Sequence, residues 1–164
     1  TIDLTDKSQK LVQRLLESKK TISCMESCTG GGLANEITNI EGSSGVIKFS
    51  AITYSNEYKI KMGVSSNTIE KYSVYSADVA REMSKNIAMF ADSDYGVGIT
   101  GKLNCADENN SRGKDNVVFI SIYDRNKNTF YQDTICVNDE SRPCNKKLVI
   151  DKVMDIFLCD IIKK

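Results

Sequence analysis

Three consecutive glycines, Gly30-Gly31-Gly32, stand between a short run that reads as buried strand, Thr21 to Met25, and a segment of helical character, Leu33 to Ile40. Glycine is entropically costly inside a helix or strand, so three together mark a place where the backbone must turn tightly. The chain is thereby made to pass from strand to helix within a few residues. Strand, tight turn and helix in that order are the unit from which α/β folds are assembled.

The flanking segments carry matching signals. Thr5 is the expected N-cap of a helix to about Lys19, because Leu11, Val12, Leu15 and Leu16 recur on one helical face. Val46 to Ser55 is rich in β-branched and aromatic residues, and Asn56 to Met62 has room for one or two helical turns. Ala77 to Ala91 predicts an amphipathic helix capped by Ser76, with Val79, Ala80, Met83, Ile87 and Phe90 inward. Tyr95 to Thr100 reads as a second short strand, ended by Gly101 and by the polar stretch Lys102 to Asp115, which has a surface-loop composition. Val117 to Tyr123 and Phe130 to Val137 flank Asp124 to Thr129 as a hairpin. Pro143 stands where a last helix would begin, running to about Ile162 with Leu148, Val149, Val153, Ile156, Phe157 and Ile161 as its apolar stripe. The pattern predicts a single domain over 1–164 of α/β class, with α+β as the alternative: a three-layer sandwich of mixed β-sheet with helices on both faces.

Composition narrows the chemistry. The 164 residues, 40% of them hydrophobic, can bury a core without staples, and the 22 basic residues equal the 22 acidic ones. No net field draws such a chain to nucleic acid or an anionic membrane, so neither is an expected partner. Histidine is absent, which excludes serine–histidine and cysteine–histidine mechanisms and histidine metal sites. Neither a metal nor a cofactor is expected. Six cysteines without a CxxC pair or a leader pattern read as reduced, cytoplasmic thiols, with Cys136 and Cys159 packed in apolar runs. No apolar run reaches the length of a membrane span.

Three stretches can carry chemistry. Ser27 to Gly32 would present a hydroxyl and exposed N–H groups at the positive end of a helix, which suits an oxyanion or phosphate; a plain tight turn capped by Ser27 or Thr29 is the open alternative. It is not a P-loop, because no Gly-Lys-Ser or Gly-Lys-Thr closes it. In Tyr54-Ser55-Asn56-Glu57-Tyr58-Lys59, a lysine five residues after a tyrosine can turn back beside it if a helix starts at Asn56. A lysine with lowered pKa is then the natural base for a serine nucleophile, against the alternative of a solvated helix residue. Gly98-Ile99-Thr100-Gly101 is a strand end whose glycines would admit a ligand to the backbone, or a simple turn. Arg142, ahead of the last helix, can clamp a phosphate or carboxylate. The serine–lysine spacing of Ser111 to Lys114 is taken as chance in a polar loop, and the acidic run Asp107 to Ser111 is rejected as a calcium loop because Arg112 replaces the required glycine.

Taken in order, these stretches resemble the C-terminal domain of the CinA competence/damage-inducible family, which also occurs alone as nicotinamide mononucleotide deamidase. The family's ESCTGG corresponds to Glu26-Ser27-Cys28-Thr29-Gly30-Gly31, its YSNxxK to Tyr54-Ser55-Asn56-Glu57-Tyr58-Lys59, and its strand ending in TG to Asp94-Tyr95 through Thr100-Gly101. Val74-Tyr75-Ser76 and the following helix also fit, so the resemblance covers roughly residues 8 to 162. The resemblance implies an amidohydrolase of pyridine-nucleotide salvage that converts nicotinamide mononucleotide to nicotinate mononucleotide and ammonia. Catalysis would fall to Ser27 as nucleophile, Lys59 as base and Tyr54 as orienting or relay group. Substrate would be held by Thr29, Gly30, Gly31, Asn56, Thr100, Gly101 and Arg142, with N–H groups near Gly30 and Gly31 on the oxyanion. The small nucleotide is the expected partner, and a dimer the expected assembly if the chain self-associates. After Gly101 the chain departs from the family's glycine-rich continuation and reads Lys102-Leu103-Asn104-Cys105-Ala106, where Lys102 would supply charge to the phosphate. Toward the end the family shows an arginine and a basic residue four further on, which Arg142 and Lys146 fit. A catalytically inactive nucleotide- or partner-binding relative, and a hydrolase of another small amide, are the alternatives.

Overall fold

The computed structural model describes residues 2–104, 112, 114–138 and 141–163. Its centre is a five-stranded sheet in the order β2-β1-β3-β4-β5, formed by β1 (Ile22–Glu26), β2 (Ile47–Ile52), β3 (Tyr95–Gly101), β4 (Val117–Asp124) and β5 (Thr129–Cys136). β1 runs parallel to both neighbours, whereas β3, β4 and β5 are antiparallel in sequence. The helices are α1 (Thr5–Ser18), α2 (Gly32–Thr38), α3 (Asn56–Lys61), α4 (Ser66–Tyr72), α5 (Ala77–Ala91) and α6 (Arg142–Ile156), the last widening into a π-helical turn at Phe157–Ile161. The architecture is the expected α/β one.

Every residue of β1 and β3 is buried, as central parallel strands covered on both faces must be. Successive side chains alternate between the two faces. Ile22, Cys24, Val97, Ile99, Val118, Ile120 and Ile122 meet Leu11 and Leu15 of α1, Leu33 and Ile37 of α2, and Val149 and Val153 of α6. On the opposite face Met25 joins Val79, Met83 and Ile87 of α5.

The second interface is unusually close because the strand residues there are small. A Cβ on Gly96 would stand 2.0 Å from the Ser84 carbonyl oxygen, and one on Gly98 would stand 2.4 Å from that of Ala80. The glycines of β3 therefore admit helix α5, not a ligand, which corrects the reading of Gly98. Beside them the Ser84 and Ser121 hydroxyls are hydrogen-bonded at 2.9 Å, and Ser84 Oγ is 2.8 Å from its other acceptor, Arg81 O.

Several sequence expectations change. Leu4 takes the N-cap position of α1 and Thr5 is its first residue, with the Thr5 N–H donating to Asp3 Oδ1. Leu16 and Phe90 are 45% and 67% exposed; Phe90 lies against Phe49 on the surface. Cys136 and Cys159 are exposed free thiols, while Cys24 and Cys28 are buried ones. α4 was not expected, and it buries none of its residues, so it leaves no apolar stripe to read. Lys102 and Leu103 are buried, not parts of a surface loop. Cys105 and the greater part of the Lys102 to Asp115 stretch lie outside the described residues, as does the comparison of Ser111 to Lys114 and Asp107 to Ser111 with known motifs.

The chain leaves the carboxyl end of β1 toward β2 and the carboxyl end of β3 in the opposite direction, toward β4. Such a point of divergence leaves a crevice outside the strand ends, where α/β sheets bind ligands. Glu26 ends β1 there, with Ile52 and Ile99 in register on either side.

Candidate active site

Ser27 is the first residue beyond β1 and is held by both neighbouring strands. Its N–H donates to Ile99 O at 3.0 Å, and the preceding carbonyl, Glu26 O, accepts from Thr53 N–H at 2.8 Å. Lys59 arrives from α3. The Ser55 hydroxyl caps that helix by accepting from Tyr58 N–H, and the resulting turn sends Lys59 back toward the strand ends. Its Nζ lies 2.9 Å from Ser27 Oγ and 2.6 Å from Thr53 O.

Lys59 is 1% exposed. Burial pulls its ammonium down from 10.5 to about 8. The cause is desolvation of the charged form. At pH 7 roughly a tenth of such a lysine is a free amine. The amine has two N–H bonds and one lone pair: one N–H can stay on Thr53 O while the lone pair faces the Ser27 hydroxyl. A nucleophile and its base are thus within hydrogen-bond reach of each other.

Cys28 is the neighbouring thiol, and burial pushes it up to about 12. It stays protonated and packs into the core with Leu33 and Ile37. Of the adjacent hydroxyl and thiol groups, Ser27 is the one on Lys59. Thr29 turns inward, donating from Oγ1 to Glu26 Oε1 at 2.6 Å, so the candidate binding residue has its proton committed within the protein.

Glu26 occupies the helix terminus that the sequence suggested for an anion. Its carboxylate accepts from the N–H groups of Leu33 and Ala34, both at 3.0 Å. Gly30 N–H donates to Ser27 O and Gly32 N–H to Thr29 O, which corrects the assignment of Gly30 N–H to an oxyanion. The amides of Cys28, Thr29 and Gly31 take no part in these bonds. Gly30 and Gly31 have φ of +61° and +96°, a region open to glycine and strained for other residues, and this lets the loop fold back on itself.

Tyr54 is 58% exposed, and its hydroxyl accepts from Arg142 Nη2 at 3.3 Å. No described hydrogen bond joins Tyr54 to Ser27 or Lys59; it is tied instead to the cation at the mouth. Arg142 opens α6, whose N-cap Ser141 accepts from Cys144 N–H with Pro143 in the first turn. One turn later Lys146 leans over the loop, its Nζ 3.4 Å from where a Gly30 Cβ would be. Two cations therefore stand above the Ser27–Gly31 loop. Asn56 begins α3 and is half-buried.

The strand end of β3 is less available. Thr100 is 1% exposed and donates from Oγ1 to Val74 O at 2.6 Å, so its proton serves the fold. Gly101 is needed for close pairing, since a Cβ there would stand 2.4 Å from Val117 O. The Lys102 side chain is 1% exposed, with Nζ 3.8 Å from Asp115 and over the Tyr75 ring, which corrects its assignment to a phosphate. Sequence reasoning missed Glu26 and the carbonyl of Thr53. A carboxylate at the end of a buried strand, a few residues before a helix, was the available signal for the first; a backbone acceptor leaves no sequence signal.

Fold and site together define an α/β domain with a buried serine–lysine pair at the carboxyl ends of parallel strands. The chain belongs to the CinA family: the model of the CinA C-terminal domain matches residues 4–158. A CinA-like protein of Endomicrobium trichonymphae is 47% identical over 88 residues, which are 53% of this chain and 21% of that protein. The match thus spans about a fifth of that curated relative's length. Among solved structures, the competence/damage inducible protein CihA from Agrobacterium tumefaciens superposes with a TM-score of 0.87 at 21% identity, covering 96% of this chain and 95% of that one. The competence damage-inducible protein A (ComA) from Klebsiella pneumoniae gives 0.90 at 17% identity, with 99% of each chain covered. At those identities the structures speak for the shared fold.

Proposed function

We propose that this domain is an amidohydrolase that deamidates nicotinamide mononucleotide to nicotinate mononucleotide and ammonia. The observation that carries the reading is the 2.9 Å contact between Ser27 Oγ and Lys59 Nζ, made where burial lowers the lysine toward the working range of a base. Lys59 takes the hydroxyl proton as Ser27 Oγ attacks the carboxamide carbon. The oxyanion is stabilised by backbone N–H groups beside Ser27, those of Cys28, Thr29 and Gly31 being the candidates. Collapse expels ammonia, which takes the proton from Lys59 and leaves an ester on Ser27. Water, deprotonated by Lys59, then cleaves the ester and restores the serine.

Arg142 and Lys146 supply positive charge at the mouth and suit the 5′-phosphate of the nucleotide. Tyr54 orients Arg142 through its hydroxyl. The decisive experiment is ammonia release from nicotinamide mononucleotide by the purified protein. Release supports the deamidase; silence toward this nucleotide with release from another small amide transfers the mechanism to that substrate. Silence toward every amide with retained nucleotide binding makes the domain a binding protein.

A further inference from the structure

We propose that Glu26 is a positioning residue for the nucleophile: its carboxylate ties the end of β1 to the start of α2 and so closes the Ser27–Gly31 loop around Ser27. The proposal rests on the reading of Ser27 and Lys59 as nucleophile and base. Glu26 is 1% exposed and is fixed at its own backbone, where its carbonyl accepts from Thr53 N–H. From that post one carboxylate takes three hydrogen bonds, one within the loop from Thr29 Oγ1 at 2.6 Å and two beyond it from the N–H groups of Leu33 and Ala34, both at 3.0 Å. Charge-assisted bonds of this kind are strong and short, and a carboxylate at the first amides of a helix is favoured by their shared polarity.

The loop needs such a tie. Gly30, Gly31 and Gly32 bring no side chains to hold it, and two of them sit at positive φ. Glu26 adds a fastening that spans the whole loop, from the residue before Ser27 to the helix after Gly31. It also takes up the amides of Leu33 and Ala34 in the first turn of α2, so the loop closes on the chain's own carboxylate. An anionic substrate group is left to Arg142 and Lys146.

The test is the rate at which a fluorophosphonate labels Ser27, followed by intact mass and peptide mapping, in wild type, Glu26→Gln, Thr29→Val, and Glu26→Ala with and without formate, with the melting temperature of each recorded. Glutamine keeps the size but has one acceptor oxygen, and it turns an NH2 group toward the Ala34 amide. Labelling slowed on the order of 100-fold in folded Glu26→Gln is expected, the cost of a displaced catalytic group, with a smaller slowing in Thr29→Val and partial recovery of Glu26→Ala on addition of formate. Equal labelling of wild type and folded Glu26→Gln overturns the proposal. Should Glu26→Gln fail to fold, Thr29→Val decides: unchanged labelling overturns the proposal and slowed labelling supports it. A wild type unlabelled at Ser27 also overturns it, since no activated serine is then being positioned. Ammonia release from nicotinamide mononucleotide is measured separately; silence there with Ser27 labelled removes the substrate reading and leaves the role of Glu26 standing.

Discussion

The Thr53 carbonyl lies 2.6 Å from Lys59 Nζ, while the N–H of the same residue holds Glu26 O at 2.8 Å. One residue at the end of the β2 segment thus fixes the base to the strand that carries the nucleophile. Sheet pairing, which is stiff, fixes the backbone at Ser27 and Thr53, and the loop that carries the Ser27 side chain onward is closed by Glu26. Sites built on sheet and helix hold their geometry better than sites on loops alone.

Ser27→Ala is expected to abolish amide hydrolysis while the domain stays folded. The hydroxyl makes one described hydrogen bond, to Lys59, so its loss costs about 1 kcal/mol. Ammonia release and a thermal melt measure the two effects; retained activity would remove Ser27 as nucleophile.

Lys59→Arg is expected to be as inactive as Lys59→Ala, because a guanidinium cannot give up its proton near neutral pH. In wild type the base is the free amine, so kcat/KM should climb with pH and reach half its plateau near the free enzyme's lysine value of about 8. A profile flat between pH 6 and 9 would reduce Lys59 to an electrostatic contact.

The same burial has a stability signature. The folded-state value of Lys59 lies below its ordinary 10.5, so between about pH 8 and 10.5 the unfolded chain binds more protons than the folded one. Stability contributed by this group therefore rises with pH through that window, and the penalty is fully present below it. Lys59→Met, which removes the buried ammonium, should stabilise the domain at pH 7 by up to roughly 3 kcal/mol, less what the two lost hydrogen bonds contributed. The advantage should shrink as pH rises to 10. Denaturant melts of both proteins across that range check the sign.

Gly96→Ala should destabilise by more than about 3 kcal/mol or prevent folding, the upper end of what overpacking costs, because its methyl would stand 2.0 Å from the Ser84 carbonyl. That oxygen belongs to the α5 backbone and cannot swing aside like a side chain. A melting temperature unchanged from wild type would mean that α5 can lift from the sheet.

Much of this architecture was legible in the sequence because periodicity reports burial. The α5 boundaries and the Ser76 cap followed from an amphipathic stripe, and the β1 to α2 turn followed from its glycines. Phe90 and Leu16 misled for the same reason, since apolar character fits a helical face whether or not another layer covers it. The pairing of Ser27 with Lys59 spans 32 positions; it was readable as motif resemblance, and its distance was not. Thr29 and Thr100 look like ligand-facing hydroxyls in sequence, yet each donates to an acceptor that only the fold brings near: Glu26 for the first, the Val74 carbonyl for the second. Lys102 looks exposed because it opens a polar stretch, and its side chain is nevertheless buried with Nζ over the Tyr75 ring.

The antiparallel return of β4 sets the β4–β5 turn apart from the chemistry. Asp124 pairs with Tyr95 at the start of β3, the end of the sheet opposite Ser27, so the turn at 125–128 is separated from the serine by about the length of a strand, roughly 20 Å. Its Asn126, Lys127 and Asn128 are exposed. Lys127 is the natural place there to attach a fluorophore or affinity handle, because it is exposed, whereas Arg125, Asn126 and Asn128 are bonded to Asp92, Asp94 and Tyr123. The sheet acts there as a rigid handle by which the domain can be held, immobilised or reported on while its opposite edge stays free to work.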